Sequence, residues 1–396
     1  MFPKLRFKEF DGDLTESKLV ELTSWASGGT PAKDVPEYWG DGIPLISGAS
    51  MHTNQLYESD VKITKLGLQK GSKLALKDSI LILVRGSMLF NKIPMGITLG
   101  DVAFNQDVKC IRPKQQLAPL FLFQWLHAKE NTIQNKVTAT GIGAGKLDTA
   151  DLQNLKLYKP SLEEQTKIAT FLSAVDEKIS QLTQKHQLLR EYKQGMMQKL
   201  FSQQVRFKAD DKSEFGEWEE KELKDIAEIN PKSKKLPESF IYIDLESVEK
   251  GQLLLQKNIE LQDAPSRAQR LLAKGDVLFQ MVRPYQQNNY YFNLSGEYVA
   301  STGYAQIRTK LDSKFIYYAL HEKTFLDEVM NRCTGTSYPA INSSDLSSIE
   351  ILIPCLEEQT KIANFLSAID QKIEVVAQQI EQAKTWKKGL LQQMFI

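Results

Sequence analysis

One stretch of this chain is written twice. Residues 160–179 read PSLEEQTKIATFLSAVDEKI and residues 354–373 read PCLEEQTKIANFLSAIDQKI, with sixteen of twenty positions identical at a fixed offset of 194. Unrelated segments of that length would share about one position, so the match means that a whole half-chain was duplicated. The first copy runs on in phase to Phe201 and the second to Phe395.

The repeated stretch is helical by its periodicity. Apolar residues fall at Ile168, Leu172, Val175, Ile179, Leu182, Leu189, Met196 and Leu200, with His186 and Lys193 filling the remaining places. The second copy supplies Ile362, Leu366, Ile369, Ile373, Val376, Ile380, Ala383, Lys387, Leu390 and Met394. Spacing that alternates four and three is the period of a coiled-coil seam. About 40 helical residues span roughly 60 Å at 1.5 Å each. Alone, each helix exposes an apolar stripe; paired, the stripes bury one another. Domain termini tend to lie close together, so the segment between the helices returns the chain near where it left. The second helix then starts beside the end of the first and runs antiparallel to it. That places the two domains at opposite ends of a rod, about an approximate two-fold axis. A helix pair that merely closes a core is the alternative, and ten in-register seam positions favour the rod.

A length of 396 residues gives room for two or three domains. No run approaches 18 apolar residues and MFPKLRFKEF has no signal-peptide core, so neither membrane nor secretion is expected, and a cytoplasmic location is. Cys110, Cys333 and Cys355 are too few and too scattered for a disulfide framework or a metal cluster, which fits a reducing compartment. The net charge of +1 argues against a polyanion partner only until its distribution is read. Residues 1–60 carry 5 basic and 10 acidic side chains, and residues 61–114 carry 10 and 3. Residues 206–263 carry 10 and 15, and residues 264–310 carry 6 and 2. Each half opens acidic and turns basic in its middle, and local sign is what a polyanion meets.

The duplication extends almost end to end. Leu5-Arg6-Phe7-Lys8 recurs as Val205-Arg206-Phe207-Lys208. Residues 28–51, rich in Gly and Pro, read as turns between short strands. KDSILILVR (77–85) is a buried strand ending in a basic residue, with KGDVLFQMVR (274–283) as its counterpart, so Arg85 and Arg283 are read as equivalent. Polar loops follow both. VKCIRPK (108–114) and YAQIRTK (304–310) are strands; FLFQWLH (121–127) and FIYYALH (315–321) are helical. Asp151-Leu152 and Asp345-Leu346 keep the offset of 194. The fold class is therefore α/β (α+β): two similar domains, each followed by a long helix, with pseudo-two-fold internal symmetry. The boundaries expected are 1–159, 160–204, 205–353 and 354–396 for domain, helix, domain and helix. The halves agree mostly in apolar and turn residues and differ in loop polars and aromatics.

Catalytic constellations are missing. Thr140 to Lys146 (TGIGAGK) lacks the phosphate-loop spacing, with Thr140 where the first Gly belongs and Leu147 where Ser or Thr belongs, and it reads as a turn. Nor does it keep the dinucleotide spacing. His52, His127, His186 and His321 have no metal-ligand spacing, and His127 and His321 on apolar helices read as structural. Glu219-Glu220-Lys221 near Asp211 is a nuclease-like fragment within a solvated charge run. No Pro-Pro-Tyr/Phe motif of amino-methyltransferases occurs.

These residues resemble one family, the DNA-specificity subunit of Type I restriction–modification systems. The resemblance lies in the doubled L-E-E-Q-T-K-I-A-x-F-L-S-A-x-D segment and in Gly28-Gly29-Thr30-Pro31 with Glu37-Tyr38-Trp39 and Ile43-Pro44. Leu5-Arg6-Phe7, and Val205-Arg206-Phe207 followed by Gly216-Glu217-Trp218, are openings of the family's target-recognition domains. Trp218 has no counterpart beside Thr15-Glu16, and Asn230-Pro231 stands near where a second Gly-Gly-Thr-Pro would be. The resemblance implies a non-catalytic subunit whose target-recognition domains each read one half of a split, asymmetric site on double-stranded DNA. It implies a coiled-coil spacer that sets the gap and docks two methyltransferase (modification) subunits, joined by restriction/translocase subunits. S-adenosylmethionine, ATP and Mg would then sit on the partners, with no cofactor or metal on this chain.

Base readout needs forked or amide side chains, while Lys and Arg on phosphates set register. The candidates in the first domain are Arg85, Ser87, Asn91, Lys92, Asn105, Gln106 and Lys146. In the second they are Arg283, Gln286, Asn288, Asn289, Tyr290, Thr302, Tyr304, Ser337 and Tyr338.

Overall fold

A computed structural model describes residues 3–141, 143–232 and 235–395; Ile142, within the Thr140–Lys146 stretch, lies outside the described residues. The chain forms two compact units, Met1–Thr183 with Gln378–Ile396, and Gln184–Ala377.

In the first unit the strand Ile80–Leu83 is buried at every position, as a continuous aliphatic run of β-branched and leucine residues should be. It lies between Val108–Pro113 and Met95–Thr98, antiparallel to both. Thr23–Ser27 and Gln55–Leu56 complete a five-stranded sheet. A second sheet of four strands runs Lys62–Ile63, Trp39–Ile46, Val102–Phe104 and Lys73–Ala75. The helix Pro119–Ala128 starts with Pro in its first turn, where no intrahelical N–H is lost. It packs on Val108–Pro113 and Met95–Thr98. Three further strands, Thr138–Ala139, Gly145–Lys146 and Arg85–Gly86, form a small antiparallel sheet.

The second unit repeats this plan. Ala227–Ile229, Tyr304–Thr309, Val277–Gln280 and Tyr290–Tyr291 pair in the same order as their counterparts. The other sheet, Lys257–Glu260, Ser239–Ile243, Tyr298–Ser301 and Ala268–Leu271, keeps the one parallel pairing at its centre, Ser239–Ile243 on Tyr298–Ser301. Its counterpart in the first unit is Trp39–Ile46 on Val102–Phe104, and there Gln55–Leu56 also runs parallel to Met95–Thr98.

Two long helices, Leu162–Phe201 and Leu356–Met394, carry the doubled segment. In the first unit the start of one meets the end of the other: Lys387 Nζ lies 2.5 Å from Asp176. Ile168, Leu172 and Val175 share a core there with Leu390, Leu391 and Met394. In the second unit the partners exchange roles: Lys193 reaches Asp370 at 2.6 Å, and Leu200 joins Ile362, Leu366 and Ile369. Within each unit the helices therefore run antiparallel, as the connectivity leads one to expect. The two ion pairs are one pair under the repeat, since each partner moves by 194 positions. Of the seam series, Ile168, Leu172, Val175, Leu182, Ile362, Leu366, Ile369, Val376 and Ile380 are buried, while Ile179, Leu189 and Ile373 are half-buried.

The identical L-E-E-Q segments have a physical reason that apolar periodicity does not supply. Glu164 and Glu358 are buried one turn into their helices, where the N-terminal helix dipole favours a carboxylate. Arg6 forks onto Glu164 at 2.7 and 2.8 Å, and Arg206 onto Glu358 at 3.1 and 2.8 Å. Pairing with the carboxylate raises both guanidinium pKa values. Gln165 and Gln359 are equally buried: their Nε2 groups donate to the carbonyls of Pro160 and Pro354. Their Oε1 atoms accept from the N–H of Ala118 and Asp312. Each polar doublet thus locks a long helix to its own domain, with every buried polar atom of the doublet's contacts partnered.

Candidate nucleic-acid interface

The candidates of the first unit gather at the end of Ile80–Leu83. The Val84 N–H donates to Asp107 O and its carbonyl accepts from Leu147 N–H, which draws three chain segments to one point. Just beyond, Arg85 and Lys146 are register partners, both exposed, and Gly86 faces Gly145. Gly145 is fixed by packing, because a Cβ there would meet Leu89 at 2.9 Å and Gly86 O at 3.0 Å. Asn105 and Gln106 occupy the turn that ends at Asp107. Gln106 Oε1 accepts from Thr30 and Asn105 Oδ1 from Asp107 N–H, so both amides are held by their own neighbourhood. Ser87, Asn91 and Lys92 are exposed on the turn Ser87–Phe90 and just after it, a loop pinned from below by buried Leu89 and Ile93.

The second unit's ladder registers correct one equivalence read from sequence. Val108 pairs with Leu83 and Tyr304 with Gln280, so Leu83 corresponds to Gln280. Leu147 N–H meets Val84 O as Ile341 N–H meets Met281 O, and Val282 bridges Ala340 as Arg85 pairs with Lys146. Arg85 is therefore matched by Val282, and Arg283 takes the place of Gly86. Matching the two Arg residues takes an offset of 198, whereas the ladders set 197, and a one-residue difference is invisible where both sequences read as an apolar run ending in Arg. The place matters physically. Gly86 has φ +145°, and Arg283 is left-handed at φ 55°, ψ 52°, a conformation that costs a residue with a Cβ roughly 1–2 kcal/mol.

Beneath Arg283 lies a chain of buried amides whose orientations are set by backbone partners. Gln280 N–H donates to Asn289 Oδ1 at 2.8 Å, and Asn288 N–H to Gln280 Oε1 at 3.0 Å. The Gln280 Nε2 must then donate, which it does to Val282 O and Gln286 Oε1. Lys250 N–H donates to Asn288 Oδ1. Asn289 Nδ2 faces His321 Nε2 at 3.3 Å, while His321 Nδ1 lies 2.7 Å from Tyr317 O. The carbonyl can only accept, so Nδ1 carries the proton and Nε2 accepts. Burial, the leading cause, depresses the His321 pKa to about 4, which keeps this neutral tautomer in place. His321 follows its helix, one residue past the cap Leu320, and does not lie on it as the sequence reading had it.

Three candidates are corrected by burial. Asn289 is 1 % exposed and holds the strand end from inside. Tyr290 and Tyr304 are core residues packed with Phe292 and Tyr298, and burial raises the pKa of both hydroxyls. The strand alternation that turns them inward was hidden by their polar atoms. Thr302 is half-buried with its N–H on Arg267 O. Ser337 and Tyr338 are exposed, and the Arg283 guanidinium lies 4.1 Å over the Tyr338 ring. The surface of the second unit is thus formed by Arg283, Tyr338, Ser337 and Gln286, with Asn288 half-buried behind them. Sequence reasoning missed Gln280 and the Glu-Gln doublets; the doublets were visible as polar identities inside an apolar repeat.

Among the described residues no cluster of three or more His, Cys, Asp or Glu side chains is placed to hold a metal ion, and no helix is long and apolar enough to cross a membrane. Glu219 and Lys221 pair with each other on the strand Glu219–Glu222, away from any acidic cluster of that kind.

Residues 12–190 and 216–385 each match the Type I restriction modification DNA specificity domain. The chain is 27% identical over 409 aligned residues to the Type I restriction enzyme MjaVIII specificity subunit of Methanocaldococcus jannaschii, covering 97% of this chain and 94% of that one. It is 29% identical over 182 residues to the EcoR124I/EcoR124II specificity subunit of Escherichia coli, covering 46% and 45%. The crystal structure of the Type I restriction–modification S subunit from M. genitalium shares the fold at a TM-score of 0.62 and 17% identity, covering 100% and 99%. A chain of a type I restriction–modification assembly matches at 0.56 and 17%, covering 97% of each. With both halves matched and the long helices antiparallel in each unit, the chain belongs to the Type I restriction–modification DNA-specificity family, whose members recognise sequence and do not themselves catalyse.

Proposed function

We propose that the two recognition domains, 1–159 and 205–353, each read one half of a split DNA site through the loop end described above. The paired helices fix the unread gap and dock two modification subunits, which methylate adenine with S-adenosylmethionine. Restriction subunits that use ATP and Mg complete the assembly in the cytoplasm. One observation carries the reading: equivalent strands lead into an Arg85–Lys146 register pair in one unit and, one residue further on, into an Arg283–Tyr338 stack in the other. A shared scaffold with unlike ends is what an asymmetric, two-part target requires. Cations at these ends would neutralise phosphates and make binding fall steeply with salt. The test is methylome mapping of the chain reconstituted with its modification subunits. A bipartite, asymmetric motif is expected; a contiguous or palindromic motif, or none, overturns the reading.

A further inference from the structure

We propose that Arg283 reads a guanine in the half-site of the second unit, with Tyr338 holding its guanidinium in a readable plane. This rests on the reading that the unit contacts DNA bases, and it adds which residue selects which base. Three observations carry it. First, Arg283 occupies a left-handed position where the first unit has Gly86. A large side chain kept at a glycine place marks a constraint other than folding. Second, the guanidinium stacks on a Tyr338 ring that is 64% exposed, yet among the described residues it makes no hydrogen bond or ion pair, and its Nε is buried without a partner. A planar fork fixed by stacking loses little freedom when it binds.

The third observation chooses the base. Gln286 Oε1 accepts from Gln280, and Asn288 Oδ1 accepts from Lys250 N–H, so internal bonds orient both amides with their nitrogens left to donate. Beside them stands the Arg283 fork, which carries donors and no acceptor. The major-groove edge of guanine carries two adjacent acceptors, O6 and N7, whereas adenine needs a donor–acceptor pair. The Arg283 fork matches those two acceptors and cannot accept from adenine N6, so it selects guanine over adenine.

The experiment uses the complex with its modification subunits and a DNA library randomised across both half-sites. Unaltered protein is expected to require guanine at one position of one half-site. Arg283→Gly suits a left-handed backbone, so thermal melting should stay unchanged or rise while discrimination at that position falls about tenfold to hundredfold, the other half-site keeping its motif. Arg283→Lys keeps the charge but loses the fork, and should relax the same position. Tyr338→Ala should relax it less. An unchanged motif in Arg283→Gly overturns the proposal. So does uniform weakening across all sequences with a shallower salt dependence, which would make Arg283 a phosphate contact. If the unaltered complex shows no bipartite motif, the broader reading has failed as well. If it shows one that Arg283→Gly leaves intact, only this assignment has.

Discussion

The loops that follow the strands Ile80–Leu83 and Val277–Gln280 leave equivalent ladders and are held in unlike ways. In the first unit, residues 84–94 are anchored by Leu89 and Ile93, with Leu83 and Met95 buried at the two strand ends. In the second, residues 281–288 are three shorter, and the strand ends carry Gln280 and Asn289, both buried. Apolar anchoring is non-directional: it fixes where a loop sits but leaves its polar groups free. Amide anchoring is directional and commits oxygens and nitrogens to set partners. The comparison teaches that duplication preserved the ladders, and that the choice between greasy and amide anchors decides which donors and acceptors reach the surface.

The largest effect tests what the units share. Removing a carboxylate from a buried ion pair strands its partner, at about 3–5 kcal/mol. Glu164→Ala and Glu358→Ala should both fall in that range, and Glu358→Ala should be the worse. Glu358 also accepts from Trp218 Nε1 at 3.1 Å, a contact without a counterpart among the described residues of the first unit. Thermal unfolding of the two variants ranks them; equal losses would mean that the Trp218 bond contributes nothing.

A second effect is confined to one unit. His321 has a folded pKa near 4 against an ordinary 6.5, so between those values the unfolded chain binds the extra proton. Stability is then complete above pH 6.5 and declines as pH falls toward 4, by about 3 kcal/mol at most. Lys193 works with burial to hold the pKa down, while Asp370 and the Tyr317 carbonyl oppose them. Protonation would also turn Nε2 into a donor facing the Asn289 donor. Urea unfolding between pH 7 and 4 should show His321→Gln losing less stability on acidification than the unaltered chain. Parallel curves would remove His321 from the amide chain.

Much of this architecture was legible from the residues. The offset of 194, the alternating seam, and the strand and helix signals at residues 108–114, 304–310 and 121–127 lead to the repeated plan, the long helices and those elements, because periodicity reports burial directly. Which polar residues face inward was not legible. Asn289, Tyr290 and Tyr304 look like loop polars in the sequence, and only the ladder register turns them into the core. Arg283 looks like the twin of Arg85 because a one-residue slip leaves an apolar run ending in Arg in both halves. Its left-handed backbone has no signature in a sequence where glycine is absent. Charge asymmetry located the basic middles of both halves but could not say which side chains were already committed to internal partners.

The smallest effect sharpens the comparison most. Gln280→Leu restores the first unit's residue, Leu83, at the equivalent ladder position, and the backbone bond from residue 280 to Asn289 Oδ1 survives it. The side chain would no longer accept from Asn288 N–H or donate to Gln286 and Val282. Leucine fits a buried strand, so the lost hydrogen bonds are partly offset by apolar burial, and global stability should change by only about 1 kcal/mol. The loop should change far more. Asn288 N–H should exchange with solvent faster while the N–H groups of Val277–Gln280 keep their protection. Gln286 would lose the donor that orients its amide, so the base preference at that half-site should broaden. Protection of Asn288 equal to that of the unaltered chain would show that the loop is held by its neighbours and not by the buried amide.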